Sequence, residues 1–121
     1  MKLVVRERET SMLQGFLNRQ RPQLATSVIA VVEVLRAVRL AEPGPAGARR
    51  ALRRLDESHL VDVDRDLLDD AVSYTSAQVR SLDAIHLASA FRVGARQMLV
   101  YDLRLAEAAS AAGLDVISPG A

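Results

Sequence analysis

The chain has no cysteine and no tryptophan, two tyrosines, two phenylalanines, and a single lysine, Lys2, among 16 basic residues. Each shortage excludes something. Without cysteine there is neither a disulfide framework nor a thiolate metal site, which suits a reducing cytosol. With 50% hydrophobic but only 3% aromatic residues, the core must be built from Leu, Val, Ile and Ala. No apolar run approaches the ~20 residues of a membrane span, and "MKLVVRERETSML" is too charged after its opening residues for a secretory leader. The chain therefore reads as a soluble, cytoplasmic domain without a membrane partner.

Several site motifs are also missing. There is no Gly-Lys-Ser/Thr phosphate loop, and Gly44 and Gly47 do not make a dinucleotide fingerprint. His59 and His86 are too far apart in sequence for a zinc motif. "DVDRD" imitates the start of a calcium loop, but Leu67 stands where glycine is needed and Ser73 where the closing glutamate belongs.

At 121 residues the chain is long enough for one domain with one core. Net charge is only +1, yet "ARRALRR" concentrates Arg49, Arg50, Arg53 and Arg54 on one helix. A solvated helix face explains such a run, and a phosphate-contacting surface is the alternative. The hydrophobic pattern alternates helices with short β-rich runs. Helix is expected over Glu7–Asn18, then a brief strand around Leu24 and Ala25. Thr26 or Ser27 should cap a long helix, "VIAVVEVLRAVRL", ended by the turn "EPGPAG". The arginine-rich helix follows from about Ala46 to Glu57, "HLVDVD" is a short strand, and Asp64 can cap a helix from Arg65 to about Val79. "RSLDAIHLASAF" is a helix packed on nearly all sides with Ser81 as its cap, "RQMLVY" a strand, "DLRLAEAASAAG" a helix and "LDVIS" a last strand. Short strands separated by helices of about ten residues or more predict parallel pairing with right-handed crossovers, hence a three-layer α/β/α sheet protein.

Three carboxylates stand out. Asp83 interrupts an otherwise apolar helix, where a first-turn charge facing the helix dipole explains it without any function; His86 is either its partner or a core-edge histidine. Glu33 lines up with Ile29 and Ala37 on a face expected to be half buried, with an ion pair to Arg36 as the plain explanation. Asp102 follows a strand and precedes a helix, so N-capping accounts for it, but it also stands at a strand's carboxyl end, where open parallel sheets bind ligands. If the three converge, their mutual repulsion calls for a cation, and an all-oxygen set suits Mg²⁺ or Mn²⁺.

"TSVIAVVEVLRAV", "RSLDAIHLASA" and "VYDLRLAEAASAAGLDVISPG" resemble, in order and spacing, the second, third and fourth acidic motifs of PIN domains, specifically the VapC toxins of toxin–antitoxin pairs. The resemblance implies a PIN-like α/β/α domain over residues 1–121, with a short parallel sheet flanked by helices. It implies a metal-dependent endoribonuclease that cuts RNA, often tRNA or ribosomal RNA, with Glu33, Asp83 and Asp102 as catalytic acids holding Mg²⁺, Mn²⁺ being able to substitute. It implies a cognate VapB-like antitoxin that blocks the site, and a homodimer. Two departures follow from the same comparison. The family opens with a strand ending in Asp-Ser/Thr-Ser, whereas "MKLVVRERETSML" matches the helix after it, so the natural protein is expected to begin upstream. Val100 stands where the family often has Thr or Ser. The rival reading is a catalytically inactive module that docks an antitoxin or a second protomer.

Overall fold

The computed structural model describes Gly15, Arg19 and residues 23–118. The helix expected over Glu7–Asn18 thus lies, apart from Gly15, outside the described residues. Their element order is β1 (Ala25–Ser27), α1 (Ala30–Ala41), α2 (Pro45–Asp56), β2 (His59–Val61), α3 (Arg65–Tyr74), α4 (Ser81–Arg92), β3 (Gln97–Leu99), α5 (Leu103–Ala111) and β4 (Asp115–Ile117). The strands are ordered as two pairs, β1 with β2 and β3 with β4. The chain divides into two compact units, which among the described residues hold Gly15, Arg19, 23–24 and Val28–Leu60 in the first, and Ala25–Ser27 and Val61–Ser118 in the second.

The first unit is a helical hairpin. Ala30, Val34 and Val38 recur every fourth residue, so they form one stripe on α1, and that stripe packs on Ala51 and Leu55 of α2. The turn between the helices needs glycine at Gly44, whose φ of 114° is a left-handed conformation, and Pro45 then opens α2 at a position where its missing N–H costs nothing. The helices approach closely at Gly47, where a Cβ would stand 2.8 Å from Val38 Cγ1. Glu42, in the turn, pairs with Arg50 of α2.

Two expectations change here. Thr26 and Ser27 do not cap α1; both belong to β1, Ser27 is buried, and Ile29 is the N-cap residue of α1, without a side-chain cap bond. Backbone bonds from Val31 to Val28 (3.1 Å) and from Val32 and Glu33 to Ile29 close that first turn instead. Glu33 and Ala37 are exposed and only Ile29 is half-buried, because the stripe one position round the helix, through Val34 and Val38, is the one that faces α2.

In the second unit α4 is packed on two sides. Ala84 and Ala88 join Val61, Leu67 and Ala71 in one cluster, while Leu87 joins Ala109 and Leu114 in another that Met98, Leu105 and Val116 extend. Leu82 and Phe91, expected inside, are exposed at 49% and 37%; α4 is covered along its middle and bare at its two ends. Val93–Arg96, with Gly94 at φ 68°, reverse the chain into β3, and Gly113 at φ 94° reverses it again into β4. β3 and β4 are parallel, with Gln97, Met98 and Leu99 opposite Asp115, Val116 and Ile117. Bonds from Asp115 N to Arg96 O (2.9 Å) and from Val100 N to Ile117 O (3.1 Å) extend the ladder at each end.

α3 stops at Tyr74 rather than near Val79. The Thr75 hydroxyl donates to Ala71 O, and the Ser76 side chain bonds Gln78, so local side-chain bonds compete with the helix ladder just where it ends. At the other end Asp64 caps α3 as expected, accepting from Leu67 N at 2.8 Å, and its second oxygen accepts from Arg92 Nη1 at 2.9 Å. The two helices therefore run antiparallel, the start of α3 beside the end of α4. The Arg92 bond and the Leu67 N–H hold the Asp64 carboxyl below its ordinary pKa, and the Arg92 guanidinium is raised by the same contact.

A carboxyl with a depressed folded pKa adds stability that is present above its unfolded value and lost as the solution is acidified through the folded value. Asp64→Asn keeps the cap but removes the charge. Unfolding midpoints compared from neutral to acid pH are expected to show the wild type ahead by a constant margin near neutrality. That margin should shrink once the pH falls below the ordinary aspartate value of about 4.

Candidate functional site

Asp83 and Asp102 both belong to the second unit, and each stands at the start of a helix. Arg80, in extended conformation, is the N-cap of α4, and Ala84 N bonds Arg80 O at 2.8 Å, so Ser81 is the first helical residue rather than the cap. Asp83 is thus the third residue of the helix, half-buried, next to buried Ala84 and one turn before buried Leu87. His86, three residues further on, is also half-buried. The first-turn placement that capping logic predicts for Asp83 is the one observed.

Asp102 caps α5 as expected: its Oδ1 accepts from Leu105 N at 3.0 Å. The residue is exposed, and Oδ2 lies outside that bond. Val100, two residues earlier, is buried, and its carbonyl accepts from the Ser118 hydroxyl, which ties the strand end carrying Asp102 to the chain after β4. Both α4 and α5 are joined to β3 or β4 by short reversals, so both run against the parallel strands and both begin at the strands' carboxyl edge. Leu87 of α4 and Leu105 of α5 meet in one cluster. The unit therefore places the starts of two helices, each with an aspartate in or before its first turn, at one edge of its sheet.

Glu33 belongs to the first unit, in the first turn of α1, and is exposed. All three candidates carry hard oxygen donors, the type that Mg²⁺ and Mn²⁺ take. Among the described residues, no group of three or more His, Cys, Asp or Glu side chains stands close enough to hold a metal ion. The donor chemistry fits such an ion; a gathered coordination set is not part of the described arrangement. The described residues also contain no helix long and apolar enough to cross a membrane.

Comparison with known proteins fits this topology. The PIN domain profile matches residues 2–111. Ribonuclease VapC46 of Mycobacterium tuberculosis is 39% identical over 122 residues, covering 98% of this chain and 91% of that protein. Ribonuclease VapC35 and ribonuclease VapC47 of the same species are 36% and 35% identical over 126 residues, each alignment covering 99% of this chain and 91% of the relative. No solved structure matches. The chain belongs to the PIN-domain family, whose three-layer α/β/α class the alternation of helices with short parallel strands expresses. Within that family its relatives place it among the VapC proteins.

From the sequence, Arg36 is expected only as an ion-pair partner of Glu33, and Arg39 has no role. They line a groove between α1 and α2, whose α2 side continues into the arginine run. The spacing of arginines in both helices carries that signal, but only once the two are known to pair.

Replacing Asp102 tests its capping role. Asp102→Asn retains a side-chain oxygen for Leu105 N, whereas Asp102→Ala loses the cap, at a cost of about 1 kcal/mol. Chemical unfolding is expected to find the asparagine variant near wild type and the alanine variant less stable.

Proposed function

We propose that the protein is an endoribonuclease toxin of a type II toxin–antitoxin system that hydrolyses RNA phosphodiester bonds. The observation that carries the reading is similarity over almost the entire chain to proteins named ribonuclease VapC. Glu33, Asp83 and Asp102 are the catalytic acids of this reading, together holding Mg²⁺, or Mn²⁺ in its place. When bound, that cation supplies charge for the phosphate and a water activated for attack. Asp83 is suited to its part because packing on both sides of α4 fixes the backbone that presents it. Asp102 is suited because its cap bond immobilises the carboxyl group while leaving Oδ2 outside.

The substrate in this reading is a structured RNA, with tRNA and ribosomal RNA as the first candidates. The partner is a small VapB-like antitoxin that presents an arginine near Asp83 and Asp102, since a guanidinium fork bridges two carboxylates. The active form is a homodimer in the cytoplasm. A second reading, a catalytically inactive module that docks an antitoxin or a second protomer, draws on the absence of a gathered acidic triad among the described residues.

Purified wild-type protein, incubated with total tRNA or ribosomal RNA and Mg²⁺ or Mn²⁺, is expected to give discrete cleavage products that chelation abolishes. Asp83→Asn and Glu33→Gln keep the shape but remove charge, so both are expected to fold normally and to lose about a hundredfold or more in rate. Undiminished cleavage by both variants would assign the activity to a contaminant. Tight partner binding by a folded protein without any metal-dependent cleavage would favour the docking module.

A further inference from the structure

Charge is unevenly divided along this chain. Residues 30–56, which make α1 and α2, contain six arginines against three carboxylates, whereas residues 57–118 contain five arginines against ten. Two of those six are neutralised: Arg50 pairs with Glu42, and Arg54 with Glu57 at 3.7 Å. Arg36 and Arg39 on α1, and Arg49 and Arg53 on α2, are exposed, and among the described residues none of these four has a side-chain hydrogen bond or ion pair.

Helix pairing collects these four around one surface. A groove of about 590 Å³ between α1 and α2 has Val32, Leu35, Ala48 and Leu52 in its lining and Arg36 and Arg39 on its α1 side. A second hollow of about 400 Å³ shares Leu52 and adds Arg49, Arg53 and Asp56. The close approach at Gly47, which lets α2 lie tightly on Val38, keeps the two arginine rows near each other.

We propose that this α1–α2 face binds the sugar-phosphate backbone of the RNA substrate, with Arg36, Arg39, Arg49 and Arg53 as phosphate contacts outside the cleavage chemistry. Guanidinium forks bind phosphate oxygens in pairs, and four of them without a side-chain partner among the described residues form an electrostatic footprint for a polyanion. Among the described residues the lining contains arginines and aliphatic side chains but no aromatic ring for bases to stack on, which suits contact to the backbone rather than to sequence. An acidic amphipathic peptide is the competing occupant. Among the described residues of the lining, only Val32 and Leu52 are substantially exposed apolar side chains, fewer than the row of anchors over two or more turns that seats a helix in a groove. With four cations in the same space, charge attracts a ligand here more strongly than apolar contact does. That RNA is the ligand rests on the ribonuclease reading above; the location of its contacts does not depend on Glu33, Asp83 or Asp102.

The test uses the full chain and a fluorescently labelled RNA hairpin, with binding measured against KCl concentration in EDTA so that no cleavage intervenes. Two double variants, Arg36→Gln with Arg39→Gln and Arg49→Gln with Arg53→Gln, are compared with wild type. Arg65→Gln is the control, because Arg65 is exposed in the second unit and pairs with Asp69 at 3.1 Å. Each double variant is expected to bind more weakly and to lower the log–log salt slope by about 1.4–1.8, the loss of two phosphate contacts. With Mg²⁺ restored, KM for the hairpin should rise while kcat holds, and the unfolding midpoint should not move. Wild-type affinity and slope in both double variants would overturn the proposal, as would displacement of an acidic Leu/Glu peptide with RNA binding unaffected by the substitutions. Wild-type protein that neither binds nor cuts the hairpin would instead overturn the ribonuclease reading and this proposal with it.

Discussion

The second unit depends on the packing of α4 from two sides. Ala84 and Ala88 are small enough to let α3 and β2 close on one face, while Leu87 reaches the α5 and β4 cluster on another. A helix held this way has little freedom to rotate or slide, because close-packed interiors resist even a methylene's change in volume. Enlarging Ala88, 3% exposed, would push α3 away; trimming Leu87, 1% exposed, would leave a void beside β4. Asp83 lies at the end of this clamped segment, so its position follows from the core rather than from the side chain's own bonds.

The same geometry explains why charged groups collect at helix ends. Asp64 begins α3 beside the end of α4, where Arg92 meets it, and Asp102 begins α5 at the opposite edge of the same unit. Each carboxylate faces free N–H groups and the positive end of a helix dipole, an arrangement that stabilises the helix and keeps the acid ordered. At Asp102 the cap bond uses one oxygen and leaves the other outside it, so capping is compatible with the proposed chemistry.

Much of this was legible in the chain. Asp64 and Asp102 were readable as caps because each is followed at once by a helical hydrophobic period, and the β3–β4 pairing because a helix separates two short β-rich runs. The PIN motifs around Asp83 and Asp102 were readable from their residue order. Ser81, Thr26 and Ser27 misled because a hydroxyl before an apolar run signals a cap only when the preceding backbone is not already claimed: β1 claims Thr26 and Ser27, and Arg80 takes the cap position before Ser81. The exposure of Glu33, Leu82 and Phe91 depends on which neighbouring element covers which face, and periodicity within one helix does not contain that. Nor did it show that the arginines of α1 and α2 border one groove.

In the function proposed above, Glu33, Asp83 and Asp102 bind one divalent cation. Paramagnetic broadening of backbone amide signals by substoichiometric Mn²⁺ tests it without reference to activity. Signals of these three residues and their immediate neighbours are expected to fade first and together, to return with excess Mg²⁺, and to respond less at all three in Asp83→Asn. Broadening that instead centres on the exposed acids of α3, Asp66 and Asp69, with Asp83 and Asp102 untouched, would contradict it.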